Sequence, residues 1–119
     1  MAGYSVSKDF NFSASHQLFG LAEGHPCSRL HGHNYIVKVV LESAELEEPG
    51  FVQDYKALDV IKRWIDETLD HQHLNKVISV MPTAENLARE IYKKFKPQFP
   101  LLKKIGISET PKTWAYYEN

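Results

Sequence analysis

The chemistry of this chain concentrates in seven residues, Cys27-Ser28-Arg29-Leu30-His31-Gly32-His33. Two histidines flank a glycine, and the sole cysteine stands four positions before the first of them. On a β-strand successive side chains alternate faces, so His31 and His33 would aim both imidazoles at one point. On a helix the same spacing would turn them apart by roughly 200°, and they could not share an ion. A His-x-His pair leading into a strand therefore supplies two ligands of a zinc site. A third ligand and an open fourth position would make such a site catalytic. Cys27 has three readings on its residue type alone. It is a small buried hydrophobe, a fourth zinc ligand that closes the site, or an acid/base thiol whose pKa falls beside a metal and imidazoles. All six histidines fall between His16 and His73, a clustering that suits a site.

The elements that must position these residues follow from hydrophobic periodicity. Tyr4 to Ala14 alternates, with Tyr4, Val6, Phe10, Phe12 and Ala14 on one parity and Lys8 interrupting it, which predicts a half-buried strand. His16 continues that parity if the strand extends so far. Gln17 to Ser28 carries Gly20, Gly24 and Pro26 and reads as a loop. A second strand is expected from His33 to Glu42, with Tyr35, Val37, Val39 and Leu41 on one face, and His31 and His33 share their odd parity. The imidazoles thus extend the apolar face at its end, where a pocket can form. Glu45 to Gly50 is a turn. Asp54 is the expected N-cap of a helix over Tyr55–Leu69, whose Leu58, Ile61, Ile65 and Leu69 form a buried stripe. Pro82 and Thr83 open a second helix with Leu87, Ala88, Ile91 and Phe95 inward, ended by Pro97 and Pro100. Strands over Lys104–Glu109 and Thr113–Tyr117, joined by a turn at Thr110-Pro111-Lys112, complete a ββααββ order. That order predicts an α+β fold, a four-stranded antiparallel sheet with two helices on one face. Its two open edges invite another subunit.

The bulk properties bound the function. At 119 residues the chain is one domain, 1–119, with a modest core, for which a homo-oligomer is a fair expectation. A net charge of −1 and no basic run argue against a nucleic-acid partner. The apolar stretches are too short for a membrane span. Met1-Ala2-Gly3-Tyr4 lacks the charged and apolar regions of a signal peptide. A single cysteine fits a reducing, cytoplasmic location.

Five motifs in order then identify a relationship: Phe12-Ser13-Ala14-Ser15-His16, Cys27 to His33, Leu69-Asp70-His71-Gln72-His73-Leu74-Asn75, Pro82-Thr83-Ala84-Glu85, and Glu109-Thr110. Over essentially its whole length the chain resembles the 6-pyruvoyl-tetrahydropterin synthase superfamily. The three residues between Cys27 and His31 look like its bacterial 6-carboxytetrahydropterin synthase branch. The resemblance implies a tunnelling fold, in which trimers close their sheets into a barrel, two trimers stack into a hexamer, and active sites lie at subunit boundaries. It implies a lyase that converts 7,8-dihydroneopterin triphosphate to 6-carboxy-5,6,7,8-tetrahydropterin, releasing acetaldehyde and triphosphate, on the 7-deazaguanine route to queuosine.

The same resemblance assigns roles. His16, His31 and His33 become Zn²⁺ ligands, with the ion polarising oxygens of the substrate side chain; the plainer account is three strand-end histidines with backbone partners. Cys27 becomes an acid/base group. Asp70 orients His71 as a second proton-transfer group, where the plainer account is a histidine complementing a helix C-terminus. Glu109 shares parity with Ile105 and Ile107, and an unpaired carboxylate on that side is costly. The 2-amino group and N3–H of a pterin would satisfy it. Thr83 and Glu85 suit a helix start by themselves and are also pterin contacts by resemblance. Lys8 and Arg29 are candidates for the triphosphate. Nothing in Phe19 to His25 can be assigned, and His25 and His73 carry no assigned role. The rivals are a 6-pyruvoyl-tetrahydropterin synthase with the same site and a non-catalytic module in which Cys27 and three histidines enclose a structural zinc. A pterin-binding protein without turnover is a third, which an intact Cys27 argues against.

Overall fold

Two long strands, β1 (Tyr4–His16) and β2 (His31–Ser43), form the backbone of the molecule and run antiparallel along their full lengths. Their ladder runs without a slip from Tyr4 opposite Ser43 to His16 opposite His31. β3 (Leu102–Ser108) pairs with β2, and the short β4 (Ala115–Tyr117) pairs with β3, giving one antiparallel sheet in the order β1-β2-β3-β4. This computed structural model describes residues 3–119. Met1 and Ala2, the start of the stretch read for a signal peptide, lie outside the described residues.

The alternation expected of each strand is what sorts its side chains. Phe10, Phe12, Ala14 and His16 of β1, Tyr35, Val37, Val39 and Leu41 of β2, and Ile105 and Ile107 of β3 are buried. Ser5, Ser7, Asp9 and Asn11 take the exposed parity of β1. Two helices cover the buried face. Helix α1 (Asp59–Thr68) contributes Ile61 and Ile65, and α3 (Ala84–Phe95) contributes Leu87, Ala88, Ile91 and Phe95. Each such isoleucine, leucine or phenylalanine, fully buried, is worth about 1.5–3 kcal/mol. The four-stranded antiparallel sheet and its helices agree with the expected architecture.

Element boundaries differ in ways that matter to the site. The expected helix over Tyr55–Leu69 begins as a 3₁₀ turn, Tyr55–Leu58, capped by Asp54, whose carboxylate accepts from the Lys56 amide. A further short helix, α2 (Leu74–Val77), was not expected. β1 continues past Ala14 and β2 begins before His33, because cross-strand pairing carries the ladder on to His16 and His31. The last two ligand positions therefore lie on the sheet itself. Among the described residues no helix is long and apolar enough to cross a membrane.

Candidate metal centre and active site

The end of the buried sheet face is where apolar side chains give way to imidazoles. His16 lies directly opposite His31 in the ladder, and His33 is opposite Ala14. Their shared inward parity converges the three rings: centroids lie 4.4 Å apart for His16–His31, 4.9 Å for His31–His33 and 5.1 Å for His16–His33. The His16 and His31 Nε2 atoms are 2.8 Å apart. Glu109, just beyond the end of β3, brings Oε2 to 3.0 Å from His33 Nε2 and 3.6 Å from His16 Nε2. One donor atom from each of these four residues lies within 4.8 Å of the others.

The other ring nitrogens set the tautomers. His16 Nδ1 stands 2.8 Å from the Pro82 carbonyl, and His31 Nδ1 stands 2.7 Å from the Arg29 carbonyl. A carbonyl can only accept, so each Nδ1 carries a proton and donates it. Each Nε2 of a neutral ring then presents a lone pair to the other, an arrangement that repels unless a cation lies between. His33 Nε2 is buried without a hydrogen-bond partner; its short approach to Glu109 lacks hydrogen-bonding geometry. Burial holds the His33 imidazole below its usual pKa, Glu109 pulls against that, and His16 and His31 add to the lowering. A neutral imidazole is the ligand form. Four donors at about 2.0–2.1 Å from one tetrahedral zinc stand roughly 3.3 Å apart. The His16–His31 separation of 2.8 Å is near that spacing, and Glu109 stands 3.0 and 3.6 Å from the His33 and His16 donors in a cluster whose atoms all lie within 4.8 Å. The orphaned lone pairs, the fixed tautomers and the donor chemistry all fit a zinc ion. The backbone carbonyls are the outer partners that metal-bound histidines characteristically have.

Cys27 lies in the half-buried 3₁₀ turn Pro26–Ser28, where its amide donates to His25 Nδ1 and its carbonyl accepts from Leu18. Its thiol does not join the four-residue cluster among the described residues. His25 is thus the cap of the turn that carries the cysteine.

Asp70 and His71 follow α1 on a loop stitched to the outer side of β1. Asp70 Oδ1 accepts from the Ser13 amide at 2.9 Å, the His71 amide donates to the Ser13 carbonyl, and the Ser15 amide donates to Gln72. Ser15 Oγ meets His73 Nδ1 at 2.9 Å, and Asn75 exchanges two hydrogen bonds with the Gln17 backbone. His73 is therefore part of this clamp. Asp70 Oδ2 holds His71 Nδ1 at 2.9 Å, leaving an imidazole whose side chain is 83 % exposed. His71 also has φ of 60°, a left-handed conformation costly for a non-glycine residue, at a position the clamp over-determines. The Ser13 amide, then His71, holds the Asp70 carboxyl below its usual pKa.

Asp70, His33 and Glu109 line one cleft of about 660 Å³, together with Tyr35, Asn34 and Thr110. That size falls within the roughly 300–1,000 Å³ of small-molecule sites. His71 lines a neighbouring depression that also reaches His33. Glu85 and Glu109 share a smaller cleft bounded by Ala84, Thr113 and Trp114. Thr83 caps α3, its Oγ1 accepting from the Asn86 amide at 3.1 Å. Lys8 lies over the Phe10 ring, and Arg29 is exposed. Glu109's place beside His33 was not foreseen; its parity with Ile105 and Ile107 gave the side it faces but not the neighbour it meets.

Comparison with known proteins places this geometry. Residues 5–119 match the family described as 6-pyruvoyl tetrahydropterin synthase. A 6-carboxy-5,6,7,8-tetrahydropterin synthase from Synechocystis is 34% identical over 119 residues, covering 94% of this chain and 91% of that protein. One from Bacillus subtilis is 28% identical over 127 residues, covering 96% and 84%. The structure of Caenorhabditis elegans 6-pyruvoyl tetrahydropterin synthase superposes with a TM-score of 0.85 at 29% identity, covering 100% of this chain and 97% of that one.

Proposed function

The chain belongs to the 6-pyruvoyl tetrahydropterin synthase family, and from that premise we propose that it is a zinc-dependent lyase of the carboxy-forming branch. It converts 7,8-dihydroneopterin triphosphate and a water to 6-carboxy-5,6,7,8-tetrahydropterin, acetaldehyde and triphosphate, in cytoplasmic 7-deazaguanine and queuosine biosynthesis. Residues 1–119 act as one domain of a homo-oligomer. The observation that carries the reading is the convergence of three imidazoles, two held as Nδ1–H donors and the third with an orphaned Nε2. The carboxy-forming assignment rests on the two bacterial relatives of that name and on the three-residue gap between Cys27 and His31.

His16, His31 and His33 hold the metal. Zinc supplies a Lewis acid for the oxygens of the substrate side chain. Glu109 borders the cluster and the cleft, where its carboxylate accepts from the pterin 2-amino and N3–H groups. Thr83 and Glu85, at the start of α3, are the further pterin contacts. Cys27 and His71 move protons on the pterin side chain from opposite faces. Asp70 fixes the His71 tautomer by accepting from Nδ1–H, so that Nε2 is the proton-transfer atom. His71 is held outward, which suits a site completed between subunits of a trimer-based hexamer.

The test is product identification by mass spectrometry. Zinc-loaded protein is incubated with 7,8-dihydroneopterin triphosphate and no reductase. Acetaldehyde and 6-carboxytetrahydropterin are expected. A 6-pyruvoyl product would keep the site and move the chain to the neighbouring branch, and no conversion by zinc-bound protein would return the structural-zinc module to the front.

A further inference from the structure

We infer that Tyr35 is a positioning residue for the metal centre, its phenol oxygen sharing the His16 Nδ1 proton with the Pro82 carbonyl and so fixing the ring that offers Nε2 to the ion. The inference rests on the metal reading given above. Tyr35 is 1% exposed, on the same inward parity of β2 as His31 and His33. Its hydroxyl lies 3.2 Å from His16 Nδ1, while Pro82 O lies 2.8 Å from the same atom. His16 is itself 0% exposed, so no solvent replaces a missing partner. A buried phenol needs a polar partner, and an N–H between two acceptors is an ordinary forked bond.

The ring is held from several sides. Phe12 stacks on it at 4.7 Å with planes 7° apart, and His33 and His16 meet it edge-on at 5.5 and 6.0 Å. The hydroxyl is thus delivered to His16 by packing, as outer partners of metal-bound histidines must be. A phenylalanine would keep the stack on Phe12; the oxygen is the part that packing does not require.

The experiment compares wild type, Tyr35→Phe and Val37→Ala by chelator competition for zinc and by the visible spectrum of the cobalt-substituted protein. Tyr35→Phe keeps the stack on Phe12 and removes only the oxygen. It should weaken zinc binding about tenfold, the lower end for loss of an outer partner because the Pro82 carbonyl remains, and alter the cobalt bands. Val37→Ala, a buried truncation two positions along the same face, should lower the melting temperature and leave zinc affinity within twofold. Equal zinc affinity in wild type and Tyr35→Phe would overturn the inference while leaving the metal reading intact. Equal weakening in Val37→Ala would overturn it as well, assigning the effect to packing. A wild-type protein that takes up no zinc would overturn the metal reading and this inference together.

Discussion

Asp70 engages both carboxylate oxygens, one with the Ser13 amide and one with His71 Nδ1, and both partners favour its ionised form. Its folded pKa therefore lies below its unfolded one. The stabilisation it contributes is present above the ordinary aspartate range near about 3.9 and is lost as pH falls through the folded value. The gap in melting temperature between wild type and Asp70→Asn should close as pH falls below about 4; a gap that stays open there would contradict it. Glu109 presents a different choice, since it is within reach of the imidazoles and of the cleft. Glu109→Gln should keep zinc on the three histidines and raise KM roughly tenfold or more, because an amide cannot accept from both pterin donors. Zinc loss measured by metal analysis would make Glu109 a ligand instead. Cys27, whose thiol stands apart from the cluster, should behave oppositely from a ligand. Cys27→Ala is expected to retain full zinc content with turnover reduced at least about a hundredfold, in line with loss of a general acid/base. Retained turnover would remove it from the mechanism.

The elements explain why the histidines could be found from sequence while their surroundings could not. Strand parity is a period of two, and it put His31 and His33 on one face, while His16 joined them only because β1 runs on past Ala14, which parity alone did not decide. Helix stripes and caps are equally local: Asp54 and Thr83 both cap as their types predict. What was illegible is through-space. No periodicity signals that residues 70–75 fasten to β1 across more than fifty positions, that α2 follows at Leu74, or that Pro82 accepts from His16. The Pro82 contact also links the metal centre to α3. Thr83, next in the chain, caps that helix through the Asn86 amide, so cap and outer metal partner occupy adjacent residues. Thr83→Ala should cost about 1 kcal/mol of stability, with Thr83→Ser close to wild type. Denaturant titration of the zinc-free protein measures this without metal binding in the way, and an unchanged midpoint in Thr83→Ala would show that the cap is dispensable.

At the scale of the whole molecule the sheet ends in two edge strands, β1 and β4. The clamp shows which way β1 faces. Ser13 receives the His71 amide and Ser15 donates to Gln72, so odd-numbered residues turn their main-chain groups away from β2. Because the β1–β2 ladder runs unslipped back to Tyr4, Ser5, Ser7, Asp9 and Asn11 do the same. The loop occupies that edge only from Ser13 onward. An open row of strand donors and acceptors is a template for another strand, and the proposed ring of three sheets would fill it with β4 of a neighbouring copy. Ser7→Pro tests this directly. It removes one outward amide and sets a ring against the incoming strand, while the monomer tolerates proline on an edge. Sedimentation velocity should show wild-type protein as an oligomer and Ser7→Pro shifted to monomer with its zinc retained and turnover lost, because His71 projects outward from its own chain. A Ser7→Pro protein that sediments as wild type would exclude this edge from assembly.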